Sequence, residues 1–184
     1  DKAALFRIIE EMVTVEMLPD LIARLGGKDP LVKIHLIHLL AKYDRTEVNR
    51  ELEAQLRDTN KLVRSAALTA LASRKDGVNI EAVAKLLQDP DLDVMDKAIE
   101  MMVQINHPDT VRYLADALKD ESEYPRRAAV EVLNEVGNRE SVKDLLSILK
   151  DDDWWVRSRA GDALAEIGGP RVVNSVVNLR SEEH

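Results

Sequence analysis

The sequence predicts an all-α fold, an α-solenoid of stacked antiparallel helix pairs. Three observations carry this. Apolar residues recur every 31 positions, strong helix-capping residues recur with the same step, and 7 Gly and 6 Pro in 184 residues leave little room for the frequent turns of a β-sandwich or barrel. Val156, Pro125, Val94, Val63 and Val32 form one column, and Leu149, Leu118, Leu87, Leu56 and Leu25 a second. Leu164, Leu133, Met102, Leu71, Leu40 and Ile9 form a third, and Ala160, Ala129, Ala98, Ala67, Leu36 and Leu5 a fourth. No insertion or deletion interrupts them.

Each unit divides into two helices with recognisable ends. Asp153, Ser122, Asp91, Asn60 and Asp29 share a column, and each offers a side-chain oxygen to a first-turn N–H that no helical carbonyl can reach. Pro30 follows Asp29 at the first helical position, where a missing N–H costs nothing. Gly168, Gly137 and Asn106 close the second helix with residues that tolerate left-handed backbone. The expected pairs are 15–28 with 29–43, 46–58 with 60–74, 78–89 with 91–105, 108–120 with 122–136, and 139–150 with 153–167. Half-repeats at 1–13 and 170–181 flank them in one repeat domain over 1–184, the latter through Val173, Val176 and Val177. The segments FRII and VVNSVV carry apolar stripes at the two ends of the array, where a stacked array needs polar caps. Excision from a longer chain, or self-association at one end, is therefore expected.

Composition narrows the chemistry. A formal charge of −8 argues against a broad nucleic-acid surface, because affinity for phosphate backbones comes from Lys and Arg displacing counterions. With no cysteine there is no disulfide framework, thiolate nucleophile or Cys-ligated zinc. No apolar run approaches the roughly 20 residues needed to span a bilayer, and DKAALFRIIEEMV is unlike a signal peptide, so a cytoplasmic location is expected.

The D-x-x-V-R start and A-x-x-A-L-x-x-I-G end of the second helix, clearest in DWWVRSRAGDALAEIG and SEYPRRAAVEVLNEVG, resemble HEAT-like repeats. The likeness is strongest to the short kind first associated with phycobilisome lyases. Lys33 and Met95 stand where such repeats usually have Arg. The resemblance implies second helices lining a concave face. It also implies a ladder of Arg64, Arg126 and Arg157 with Asp58, Asp89, Asp120 and Asp151 as partners. It leaves function open, since such repeats serve unrelated proteins.

If Val156, Ala160 and Leu164 face inward, then Trp154, Trp155, Ser158, Arg159, Asp162 and Glu166 face a groove. One unit earlier the matching positions are Glu123, Tyr124, Arg127, Ala128, Glu131 and Glu135. Rigid rings and Arg together are enriched at binding hot spots. Tyr124, Arg127, Trp154, Trp155 and Arg159 are accordingly the candidate contact set, for an extended or helical protein segment with acidic and apolar residues. The competing reading has one of the two indoles sealing the joint between units.

Other chemistries find less support. Asp151, Asp152 and Asp153 lack the spacing and distal Glu of a calcium loop. His35 and His38 share a helical face without a third ligand and are expected as exposed groove residues, and His107 before Pro108 as a loop residue. There is no glycine-rich phosphate loop, no Ser-His-Asp motif, and none of the His-Glu pairs of HEAT-repeat di-iron hydroxylases. A non-catalytic protein-interaction scaffold or regulatory module, without cofactor or metal, is the leading expectation. A tetrapyrrole (bilin) lyase or binding subunit is the alternative that the repeat type suggests. A HEAT-like DNA glycosylase is more remote, because groove acids repel phosphate.

Overall fold

Five helices begin where a short polar side chain accepts a stranded N–H. Asp29 Oδ1 accepts from Leu31 N at 2.9 Å and Val32 N at 3.4 Å, Asn60 Oδ1 from Leu62 N at 2.9 Å, and Asp91 Oδ1 from Val94 N at 3.3 Å. Ser122 Oγ accepts from Tyr124 N at 3.4 Å and Asp153 Oδ1 from Val156 N at 2.9 Å. All five cap residues have extended backbone, as the entry to a helix requires.

The computed structural model describes residues 2–74, 77–169, 172 and 174, which fall into two units within 1–79 and 80–184. Every described element is helical. The first unit holds α1 (Lys2–Met12), a 3₁₀ turn (Val15–Met17) leading into α2 (Leu18–Arg24), α3 (Pro30–Leu40), α4 (Thr46–Gln55) and α5 (Lys61–Ala72). The second holds α6 (Ile80–Ala84) running into a 3₁₀ turn (Lys85–Gln88), α7 (Leu92–Ile105), α8 (Thr110–Tyr113) with a 3₁₀ turn (Ala117–Lys119), α9 (Glu123–Val136), a 3₁₀ turn (Arg139–Ser141) with α10 (Val142–Ile148), and α11 (Trp154–Ile167).

Within each unit the helices form two layers. In the first, α3 packs on α5 and α2 on α4; in the second, α7, α9 and α11 stack in order while α6 packs on α8. The alanine column lies at the helix crossings: Ala67, Ala98, Ala129 and Ala160 are all fully buried, and their small side chains let neighbouring backbones approach. Leu40, Leu71, Met102, Leu133 and Leu164 are likewise fully buried, each removing enough apolar surface to contribute roughly 1.5–3 kcal/mol.

Several expectations need correction. The first helix of each pair is shorter than its 12 to 14 expected residues, because its first or last turn tightens to i→i−3 bonds. Leu56, Arg57 and Asp58 donate to Glu53, Ala54 and Gln55, and Leu25, Gly26 and Gly27 repeat the pattern. Gly137 and Gly168 are not left-handed: φ/ψ are −60/148° and −90/141°. They are glycines for want of space, since a Cβ on Gly137 would lie 2.2 Å from Leu133 O and 2.8 Å from Ile167 Cδ1. Asn106, at φ 44° and ψ 51°, does adopt the expected left-handed cap.

Val32, placed by its column in the core, is half-exposed, whereas Ala128, placed in the groove, is buried. His35 is half-buried rather than exposed, while His38 is exposed. Leu5 and Ile9 are exposed on α1, beside Ile8 and Met12. The half-repeat expected at 170–181, with Val173, Val176 and Val177, lies outside the described residues apart from positions 172 and 174.

Candidate functional site

The loops before α5, α9 and α11 are each built by one aspartate and one arginine, and the loop before α7 by the aspartate alone. Asp58, Asp89, Asp120 and Asp151 each accept the backbone N–H of the cap residue two positions on, at 2.8–2.9 Å. This folds the entry to the cap into an Asx turn. From within the helix, Arg64, Arg126 and Arg157 reach back to that same loop. Arg64 Nη1 donates to Asp58 O at 2.8 Å, Arg126 Nη1 to Asp120 O at 2.9 Å, and Arg157 Nη1 to Asp151 O at 2.6 Å. The spacing D-x-[D/N/S], with an Arg six residues after the first Asp in three of the four turns, was the available signal.

The second edge of the Arg126 fork joins neighbouring repeats. Nε and Nη2 donate to the two Asp151 oxygens at 2.8 and 3.0 Å, a bidentate geometry that only the planar guanidinium supplies. The Asp151 hydrogen bond holds the Arg126 pKa above its ordinary value against the opposing effect of burial. Lys33 replaces Arg one-handedly by pairing with Asp58. Met95 has no donor, and Asp120 instead accepts from Gln88 Nε2 at 2.8 Å.

The expected contact residues Tyr124, Arg127, Trp155 and Arg159 come together on the adjoining faces of α9 and α11. Arg127 lies 5.9 Å from the Tyr124 ring and 6.0 Å from the Trp155 ring, and Arg159 lies 5.8 Å from the Trp155 ring. These distances are at the reach of cation–π attraction. Trp155 is half-buried and lies near both guanidinium groups, one on each helix. Trp154, one residue earlier, is turned outward and 67% exposed; Tyr124 is 48% exposed.

Both arginines are already engaged inside the protein. Arg127 Nη2 bonds Asp153 Oδ2, and Arg159 places Nε and Nη2 on the two Glu131 oxygens, each at 2.9 Å, with Asp162 3.6 Å away. The Arg127 hydrogen bond, helped by Val156 N–H, holds the Asp153 carboxyl below its usual range. Arg159 is pulled down by burial, but the Glu131 hydrogen bond and charge outweigh that and raise it. These acid partners lie at offsets of 26 and 28 residues, which the 31-residue columns do not expose.

No group of three or more His, Cys, Asp or Glu side chains that could hold a metal occurs among the described residues. Of the Asp151–Asp153 run, Asp151 and Asp153 are engaged as above and Asp152 is exposed. His107 sits in the turn before α8, where its Nδ1 accepts Asp109 N at 3.1 Å. No described helix is long and apolar enough to cross a membrane.

A model of HEAT repeats matches residues 18–84, 50–134 and 113–184. No curated protein matches the chain in sequence. Among solved structures, an engineered protein is similar at 21% identity and a TM-score of 0.53, over 90% of this chain and 86% of its own. A second engineered protein is similar at 22% identity and a TM-score of 0.51, over 88% of this chain and 50% of its own, so this chain spans about half of it. At such identities the likeness shows the fold alone. The repeat match runs over nearly the whole length, with the capped second helices and Asp–Arg loops inside it: the chain belongs to the HEAT repeat family.

Proposed function

We propose that this protein is a non-catalytic interaction scaffold or regulatory module, and that it binds a partner protein segment on the α9–α11 face through Tyr124, Arg127, Trp154, Trp155 and Arg159. The observation that carries the reading is Trp154, a ring left 67% exposed beside a second ring that salt-bridged arginines hold in place. An exposed ring on a rigid helix offers contact area at little cost in ordering. Affinity capture with wild-type protein and with a Tyr124→Ala, Trp154→Ala double variant tests it. A specific partner retained by the first and lost from the second, with helicity unchanged, is expected; equal retention overturns the placement.

Self-association through α1 is a second part of the reading. It rests on Leu5, Ile8, Ile9 and Met12, whose spacing puts them on one side of that helix and which are all exposed. Sedimentation over a range of concentrations should show association that Ile9→Asp abolishes. A wild-type monomer throughout removes this part.

A further inference from the structure

The α9–α11 face belongs to a longer periodic feature that limits what can occupy it. In the second unit, the first turn of each second helix carries one large exposed apolar side chain: Leu92 on α7, 53% exposed, Tyr124 on α9 and Trp154 on α11. Leu92 and Trp154 stand in the same repeat column and Tyr124 one position later in its own. Since α7 packs on α9 and α9 on α11, the three side chains stand on helices whose axes are about 8–10 Å apart.

A bound segment must repeat with that step. A polyproline II helix rises about 3.1 Å per residue with three residues per turn, so one turn advances about 9.3 Å and returns a side chain to the same face. A β-strand covers the distance in about three residues but turns alternate side chains to opposite faces, so every third residue flips. An α-helix rises about 1.5 Å per residue and needs about six, which do not return to one face. Only the threefold helix meets all three side chains with one edge. The Tyr124 hydroxyl and the Trp154 Nε1–H are donors suited to its unpaired carbonyls.

Charge sets the other requirement. Residues 89–104, 120–135 and 151–166 each hold five carboxylates, against one lysine in the first stretch and two arginines in each of the others. Arg126, Arg127 and Arg159 are paired with Asp151, Asp153 and Glu131. The partial positive charge of the helix starts is offset by the capping carboxylates of Asp91 and Asp153. The surplus on these three stretches is therefore negative, which favours a basic occupant over the acidic one expected from sequence.

Resting on the interaction-surface reading above, we propose that the occupant is a basic segment in polyproline II conformation with an apolar residue at every third position. Leu92, Tyr124 and Trp154 take successive apolar residues, and the carboxylates of the flanking loops and helices face its Lys or Arg side chains.

The chain's two tryptophans both lie on this face, so its intrinsic fluorescence reports the site directly. The probes are synthetic peptides of about nine residues, three turns of the threefold helix. One repeats Leu-Pro-Lys, one repeats Leu-Pro-Glu, and one has the first composition with leucine at alternate positions. The Leu-Pro-Lys peptide is expected to give a saturable change, at least about tenfold weaker for the other two. The change should weaken at least about tenfold in a Leu92→Ala, Tyr124→Ala variant that keeps both reporters.

Equal or tighter binding of the Glu peptide or the alternating peptide overturns the proposal and leaves the interaction surface standing. Binding unaffected by Leu92→Ala, Tyr124→Ala overturns both. No saturable change with any peptide up to about millimolar overturns the proposal, while the surface reading then stands or falls on the capture experiment. Circular dichroism of the variant, altered only at exposed positions, establishes that it is folded.

Discussion

Asp153 serves two purposes, since Oδ1 caps α11 and both oxygens accept from Arg127, Oδ2 the more closely. Capping was legible in the sequence because it depends on residues two or three apart; the ion pair was not, because it depends on how two helices meet. Where capping acts without an ion pair, as at Asn60, replacement by Ala is expected to lower stability by about 1 kcal/mol in urea denaturation. Acid should act through the aspartates. Asp153 is held low by Arg127 and then Val156 N–H, and Asp120 by Gln88 and then Ser122 N–H. Asp58 is raised by burial, but Lys33 and Asn60 N–H outweigh that and leave it low. A carboxyl whose folded pKa lies below its unfolded value, about 3.9, favours folding above that value and loses the contribution as pH falls through the folded pKa. The urea midpoint is therefore expected to be level near neutrality and to fall below about pH 4. Asp153→Asn, which still caps, should show a shallower fall; a midpoint that rises on acidification contradicts this assignment.

At the scale of elements, α7, α9 and α11 lie within a residue of the expected bounds, because cap, apolar stripe and terminator all agree, whereas α3 and α5, without the terminator, end two to three residues early. The first helices did not follow as closely, since their first or final turns tighten into 3₁₀ geometry, and the apolar columns are the same either way. Gly137 shows the same limit. Its terminal position was readable, but its reason was not, because a Cβ there would meet Leu133 O and, from the next second helix, Ile167 Cδ1, contacts that depend on the turn's geometry and on how two helices meet. Gly137→Ala is accordingly expected to cost about 1–3 kcal/mol as an overpacked contact, read as a lowered urea midpoint. Asn106→Gly, at a left-handed position, should change it by only a few tenths. Arg126→Met copies at α9 what Met95 already is at α7 and leaves Asp151 without its bidentate partner. A loss of about 1–3 kcal/mol is expected, and an unchanged midpoint would show that the link contributes nothing.

For the whole molecule, a repeat built without insertion or deletion made the family readable from residue positions alone. The candidate site was half readable. Column arithmetic brought Tyr124, Arg127, Trp155 and Arg159 to adjoining faces, but it could not show that the arginines are committed to Asp153 and Glu131 or that Trp155 is half-buried while Trp154 is exposed. That division of labour is the central claim, and one measurement addresses it: the equilibrium affinity of the captured partner for wild-type protein and for Trp154→Ala. A loss of at least about tenfold, with unchanged urea midpoint, is expected of an exposed contact residue. Unchanged affinity, or a lowered midpoint with affinity intact, would contradict the claim.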